Sequence, residues 1–272
     1  MILQNLKTVS KDVISSQDKN IKAVMSSHIK RNIHVISENL ALSKSELANE
    51  LGVSRPTLNA AIDALVNEGV IEGIMKNGRR FLLNLEYCYA IADYLGIPSW
   101  KDTVSTTHVI PVTSMKGGTG KTTTTVNLAS AISVSLNERK RVLIIDLDPQ
   151  GSCRNNAQPD MEKDRDILTA VDLMLAQFET TSKYNDYHEY TDAYSHTDIV
   201  RMSCQPSQYP NLDILPAFTL DSRFTKSIYE NLSDDMDRAK SLFKTEIIDH
   251  VKDVYDIIFI DCPPTLDPIV EA

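Results

Sequence analysis

Between Ser10 and Leu40 apolar residues return every three or four positions, at Ile21, Met25, Ile29, Ile33, Ile36 and Leu40, with neither Pro nor Gly among them. This spacing predicts one long amphipathic helix whose stripe buries against either the next domain or a second copy of the chain. From Ser43 the pattern becomes compact. Ser43 and Glu46 have capping-box spacing, Leu47, Ala48 and Leu51 form an apolar face, and Gly52 can take the left-handed conformation that ends a helix. Ser54 can cap a second helix that tolerates Pro56 in its first turn, buries Leu58, Ile62 and Leu65, and closes at Gly69. The apolar runs 70–75 and 80–85 flank Asn77-Gly78, a dipeptide suited to a tight hairpin. Helix, turn, helix and hairpin make a winged helix-turn-helix.

A short helix is expected within 86–105, broken by Gly96-Ile97-Pro98 and followed by a polar connector. Beyond it, strand candidates at 108–114, 141–147, 212–217 and 255–262 alternate with helical stretches at 121–136, 166–178 and 236–253. That alternation predicts βαβ units around a parallel sheet. Residues 151–211 give no clear periodicity, and His188 and His196 within them are expected to be solvated. The expected organisation is an N-terminal helix over 1–42, a winged helix-turn-helix over 43–98, a linker over 99–106 and an α/β domain over 107–272.

Composition sharpens this division. Residues 1–85 carry 11 Lys+Arg against 8 Asp+Glu, whereas the remainder carries 17 against 29, so only the N-terminal part favours DNA by charge. Apolar runs such as Val142–Ile145 and Ile257–Ile260 have core-strand length, far short of the roughly 20 residues that span a bilayer. The N-terminus lacks the pattern of a signal or transit peptide, so a soluble, cytoplasmic protein with no membrane partner is expected. Cys88, Cys153, Cys204 and Cys262 stand far apart, matching neither a zinc site nor a disulfide framework, and read as buried thiols.

The strongest chemical signal is the run Lys116-Gly117-Gly118-Thr119-Gly120-Lys121-Thr122-Thr123, between a strand and a helix. Glycines there let backbone N–H groups close around phosphate oxygens, the helix N-terminus adds positive potential, Lys121 can neutralise β/γ charge, and the Thr122 hydroxyl suits Mg²⁺. Met115 replaces the first glycine of the usual loop, and a second lysine, Lys116, follows it. Asp146 and Asp148 stand at the end of one buried strand, alternating and so starting on opposite faces. Asp261 ends another, placing a carboxylate where it can serve Mg²⁺. Cys262 has no nearby His to activate it as a nucleophile. In the winged domain Ser54, Arg55, Thr57 and Asn59 lie off the buried face near the second helix's start, where they can reach base edges, and Lys76, Arg79 and Arg80 at the hairpin would meet phosphates. The same domain could instead serve only dimerisation or docking.

The loop of residues 115–123, the segments 146–151, 211–217 and 261–266, and their order resemble the ParA family of plasmid and chromosome partition ATPases, within the deviant Walker A group that includes MinD and the nitrogenase iron protein. The preceding winged helix-turn-helix resembles the larger plasmid-borne subgroup. The resemblance implies a doubly wound, mostly parallel P-loop sheet, and ATP/ADP and Mg²⁺ as ligands. It further implies an ATP-dependent homodimer in which Lys116 reaches the partner's phosphates, with Asp146 near the Mg²⁺ water shell and Asp148 orienting the attacking water. A ParB-type centromere-binding partner that stimulates slow hydrolysis, operator-specific autorepression and non-specific DNA binding on the nucleoid follow from the same resemblance. A nucleotide-sensing transcription regulator is the competing expectation. Only four strands are readable after 108, about three fewer than this family uses, so a C-terminal truncation is expected, with the adenine-contacting loop and a basic DNA-binding surface missing.

Overall fold

The computed structural model describes residues 40–72, 75–77, 80–157, 167–180, 185–265 and 268–271. The stripe expected over 10–40 lies, apart from Leu40, outside the described residues, as do Gly78 and Arg79 at the hairpin tip.

A three-stranded antiparallel sheet opens the fold, β1 (Leu42–Ser43), β2 (Met75–Asn77) and β3 (Arg80–Leu83), in the order β1-β3-β2. Between β1 and β2 run α1 (Lys44–Glu50) and α2 (Arg55–Asn67). Both halves of the capping box form: Ser43 Oγ accepts from Glu46 N at 3.3 Å and Glu46 Oε2 accepts from Ser43 N at 2.8 Å. Gly52 (φ +65°) turns the chain between the two helices, and Ser54 Oγ caps α2 by accepting from Thr57 N at 3.2 Å. Asn77 stands opposite Arg80, the register of a two-residue hairpin. Leu47, Leu58, Ile62, Leu65, Ile71 and Leu83 form the core of this domain, closed by Cys88 and Ile91 of α3 (Leu85–Tyr94).

A short helix, α4 (Trp100–Thr103), occupies part of the polar segment after Pro98. The second sheet comprises β4 (His108–Val112), β5 (Val142–Asp146), β6 (Gln205–Pro206), β7 (Leu212–Leu215) and β8 (Ile257–Asp261), in the order β4-β8-β5-β7-β6. All pairings are parallel except β6 with β7. β5 and β8 are buried along their whole length, as expected for strands covered on both faces. One face is covered by α5 (Lys121–Ser133) and α6 (Ser152–Ala157), which pack with Val142, Ile144, Leu212, Ile214, Ile257 and Phe259. A larger core on the other face gathers Leu143, Ile145, Leu215, Ile258 and Ile260 with α7 (Ala170–Leu175), α8 (Tyr187–Tyr190), α9 (His196–Ser203), α10 (Arg223–Leu232), α11 (Met236–Phe243), α12 (Asp249–Val251) and α13 (Pro268–Glu271). The fold is thus a mostly parallel α/β sheet with helices on both faces, preceded by a winged helix-turn-helix.

Several expectations change in detail. The stretch 236–253 is α11, a π-helical turn at Lys244–Ile248 and α12, not one regular helix. His188 and His196 are half-buried and hydrogen-bonded, not simply solvated: His188 Nε2 bonds Ala176 O at 2.9 Å, and His196 bonds Tyr187 Oη at 2.7 Å and Glu246 O at 2.9 Å. No helix among the described residues is long and apolar enough to cross a membrane.

The two domains meet on the C-terminal end of α5. Leu136 enters the winged-domain core, Tyr89 Oη donates to Ser133 O at 2.9 Å, and Asn137 Nδ2 donates to Glu50 Oε1 at 3.1 Å. Arg139, buried at φ +44°, donates to Ile97 O and pairs with Asp93 at 3.1 Å, while Trp100 N donates to Glu138 O at 2.8 Å.

Candidate nucleotide site

The loop 113–120 leaves β4 at its C-terminal end and enters α5 through glycines that supply a left-handed backbone. Gly118 (φ +71°) and Gly120 (φ +82°) are left-handed, and a Cβ built on Gly117, Gly118 or Gly120 meets nothing within 4 Å, so these positions face open space. Gly120 is the N-cap of α5 and no side chain caps that end. The amides of the first turn therefore face outward at the positive end of a 13-residue helix, as an anion site requires. Thr119 Oγ1 donates to Lys116 O at 3.1 Å and stiffens the loop from within. Residues 115–120 are exposed, with Met115 at 68%, while Lys121 and Thr122 are half-buried.

Beneath this loop the sheet brings two carboxylates together. Asp146 and Asp261 are register partners across β5 and β8, and parallel pairing aims both side chains to the same face. Asp261, fully buried, accepts at Oδ2 from Thr122 Oγ1 (2.7 Å) and Cys153 Sγ (3.2 Å), and at Oδ1 from Thr125 Oγ1 (3.3 Å). Asp146 accepts from Asp148 N at 3.0 Å and Cys153 N at 3.2 Å. Burial, and then the neighbouring Asp261 charge, raise its carboxyl well above the usual range. Asp148 is half-buried in the following turn, where Oδ1 accepts from Gln150 N at 3.0 Å and its carbonyl accepts from Gly151 N at 2.8 Å.

Thr122, Asp146 and Asp261 thus gather at one point beneath the loop, with Asp148 two residues beyond. Lys116 lies out on the exposed loop. Hydroxyl and carboxylate oxygens suit a hard cation such as Mg²⁺, so the donor set fits the group implied by the loop. Two residues join the centre unanticipated. Thr125 is three positions after Thr122 and shares its helix face, a periodicity that could have exposed it. Cys153 follows Asp146 by seven positions on a different element, and no spacing rule points to it. Cys262 is buried, which pushes its thiol up to about 11 and makes it a poor nucleophile.

In the winged domain Ser54, Arg55, Thr57 and Asn59 are all exposed at the start of α2. Arg55 Nη2 donates to Ser45 Oγ at 2.7 Å and Lys44 Nζ donates to Asn59 Oδ1 at 3.0 Å, so α1 braces this end of α2. Lys76 and Arg80 lie on β2 and β3.

A family model described as an AAA domain matches residues 107–272, more than half of the chain, and one described as a Crp-like helix-turn-helix domain matches residues 25–87. The plasmid partition protein A of Escherichia coli is 27% identical over 263 residues, covering 89% of this chain and 62% of that protein. The chain belongs to the ParA family. A putative replication protein A of Sinorhizobium fredii is 30% identical over 238 residues, covering 82% of this ParA-family chain and 52% of the relative. The chain therefore spans about half to three fifths of the length of these curated relatives. A solved structure titled "Partition Protein" superposes with a TM-score of 0.61 at 22% identity, over 96% of this chain and 68% of that one, which shows that the fold is shared.

Proposed function

We propose that this chain is the ATP-binding and operator-binding part of a DNA-partition ATPase. The observation that carries this reading is the 2.7 Å bond from Thr122 Oγ1 to Asp261 Oδ2. It joins the first turn of the phosphate-loop helix to the end of the adjacent buried strand, where a P-loop needs its metal-binding hydroxyl and acidic residue. The loop amides of 117–123 and Lys121 hold the phosphates, Thr122, Asp146 and Asp261 serve Mg²⁺, and Asp148 orients the attacking water from the turn beyond β5. Bound Mg²⁺ supplies charge neutralisation on the β- and γ-phosphates. Lys116, exposed on the loop, acts in trans in an ATP-dependent homodimer, a role with which its exposure is compatible. ParB-type stimulation, operator autorepression, non-specific DNA binding and a nucleoid-associated cytoplasmic location belong to the same proposal, which a relative named for plasmid partition supports. The braced, exposed start of α2 supports the DNA part of the reading.

Titration of a fluorescent ATP analogue into the chain, with Mg²⁺ and with EDTA, tests the proposal. Mg²⁺ should tighten binding in wild type and Thr122→Ala should lose most of that gain. Affinity that ignores both the metal and the substitution overturns the site.

A further inference from the structure

Cys153 stands in the first turn of α6, is fully buried, and touches both carboxylates beneath the phosphate loop. Its backbone N–H donates to Asp146 Oδ2 at 3.2 Å and its thiol donates to Asp261 Oδ2 at 3.2 Å. One residue thereby spans the ends of two adjacent parallel strands. The ligand atoms of Asp146, Cys153 and Asp261 all lie within 4.8 Å of one another.

We propose that Cys153 is a positioning residue for Asp261, its thiol fixing the carboxylate orientation on which the site's Mg²⁺ affinity depends. The inference rests on the ATP·Mg²⁺ reading above. Oδ2 of Asp261 takes two side-chain donors, Thr122 and Cys153, which fill its two lone pairs, whereas Oδ1 takes Thr125 alone among the side chains that touch it. Thr122 carries the hydroxyl that a phosphate loop gives to the cation. When Thr122 turns to that task it vacates one lone pair of Oδ2, and the thiol retains the other. Cys153 then decides how the freed lone pair is presented to the ion's hydration shell. Partners of this kind, acting through a metal-serving carboxylate, typically change metal affinity by about 10- to 100-fold. A thiol is a weak donor, which places the effect near the lower end.

Three proteins separate donation from packing: wild type, Cys153→Ser, which keeps a donor of similar size, and Cys153→Ala, which does not. The Mg²⁺ concentration for half-maximal binding of fluorescent ATP should rise about tenfold in Cys153→Ala and stay within about twofold of wild type in Cys153→Ser. Affinity for ATP in EDTA should be equal in all three. The infrared S–H stretch, isolated as wild type minus Cys153→Ser, should lie at the low frequency of a hydrogen-bonded thiol and move further when ATP and Mg²⁺ are added. An unchanged Mg²⁺ requirement in Cys153→Ala, equal weakening in both variants, or a band at the free-thiol position overturns the assignment. If Cys153→Ala fails to fold, the infrared band alone decides between these outcomes. Wild-type binding that needs no Mg²⁺ overturns the nucleotide reading itself, and this inference with it.

Discussion

Replacing Arg139 with Ala should unlatch the winged domain from the end of α5. Arg139 is 7% exposed, and its guanidinium reaches Ile97 O, Leu136 O at 3.4 Å and Asp93 Oδ1 at 3.1 Å. The Asp93 side chain is 68% exposed, so that ion pair contributes well under about 1 kcal/mol. The bond to Leu136 O is long and counts for little. A charged, buried donor on Ile97 O contributes about 1.5–3 kcal/mol, and loss of the packed aliphatic stem raises the expected cost of Arg139→Ala to about 2–4 kcal/mol. Trp100, the single tryptophan, reports on this seam because its backbone N–H donates to Glu138 O at 2.8 Å and Lys140 Nζ lies 4.0 Å from its ring centroid. Urea unfolding should be followed by Trp100 fluorescence and by far-ultraviolet circular dichroism. With a urea slope of about 2 kcal/mol/M, the fluorescence midpoint of Arg139→Ala should fall by about 1–2 M and run ahead of the dichroism. Asp93→Asn should move it by less than about 0.3 M. Unmoved, coincident transitions in Arg139→Ala, or an equal loss in Asp93→Asn, would refute the reasoning.

Lys121→Ala should weaken ATP binding about tenfold or more through loss of a charge-assisted phosphate contact. Lys116→Ala should leave monomer binding of ADP intact and abolish ATP-induced dimers in sedimentation, and an unchanged dimer fraction would remove the role in trans. Asp221 accepts from Phe218 N at 2.8 Å and Thr169 Oγ1 at 2.9 Å, and burial raises its carboxyl to about 7. The folded state therefore keeps a proton that the unfolded chain releases near pH 4, so stability should fall as pH climbs from about 4 to 7 and level off above. Asp221→Asn should flatten that decline in a melting series, and an unaltered slope would discount the buried carboxyl. Arg55→Ala should cost about 1–3 kcal/mol at one base pair of an operator footprint, and a uniform loss across sequences would make Arg55 an anchor instead of a reader.

Local rules made the winged domain legible. Ser43, Gly52 and Ser54 each act within a few residues, and the structure places every one as the capping and turn rules require. The buried strands β5 and β8 were equally plain because continuous apolar runs admit few other readings. β1 and β6, two residues each, exist only through their partners and leave no pattern. In α10, Phe224, Ile228 and Leu232 do keep helical spacing, but no cap or glycine sets the segment off from the 3₁₀ turn before it. At the candidate site the loop was readable because glycine is strongly favoured where φ is positive, whereas the bond from Cys153 to Asp261 joins residues 108 apart. Such contacts are products of topology, and a linear pattern does not encode them.

The phosphate loop and the winged domain are attached to opposite ends of the same short rod. α5 has 13 residues, hence about 20 Å of length, and each residue adds about 1.5 Å and 100°. Its length is therefore a phase setting. Inserting one residue between Thr125 and Val134 would swing the face bearing Arg55 and Asn59 by more than a quarter turn about the helix axis, while every local motif at either end stayed intact. Chimeras that exchange winged domains, joined in the segment before β4, should accordingly keep the residue count of α5 unchanged. A single deletion within this helix would likewise retune how the surface bearing Arg55 and Asn59 is presented.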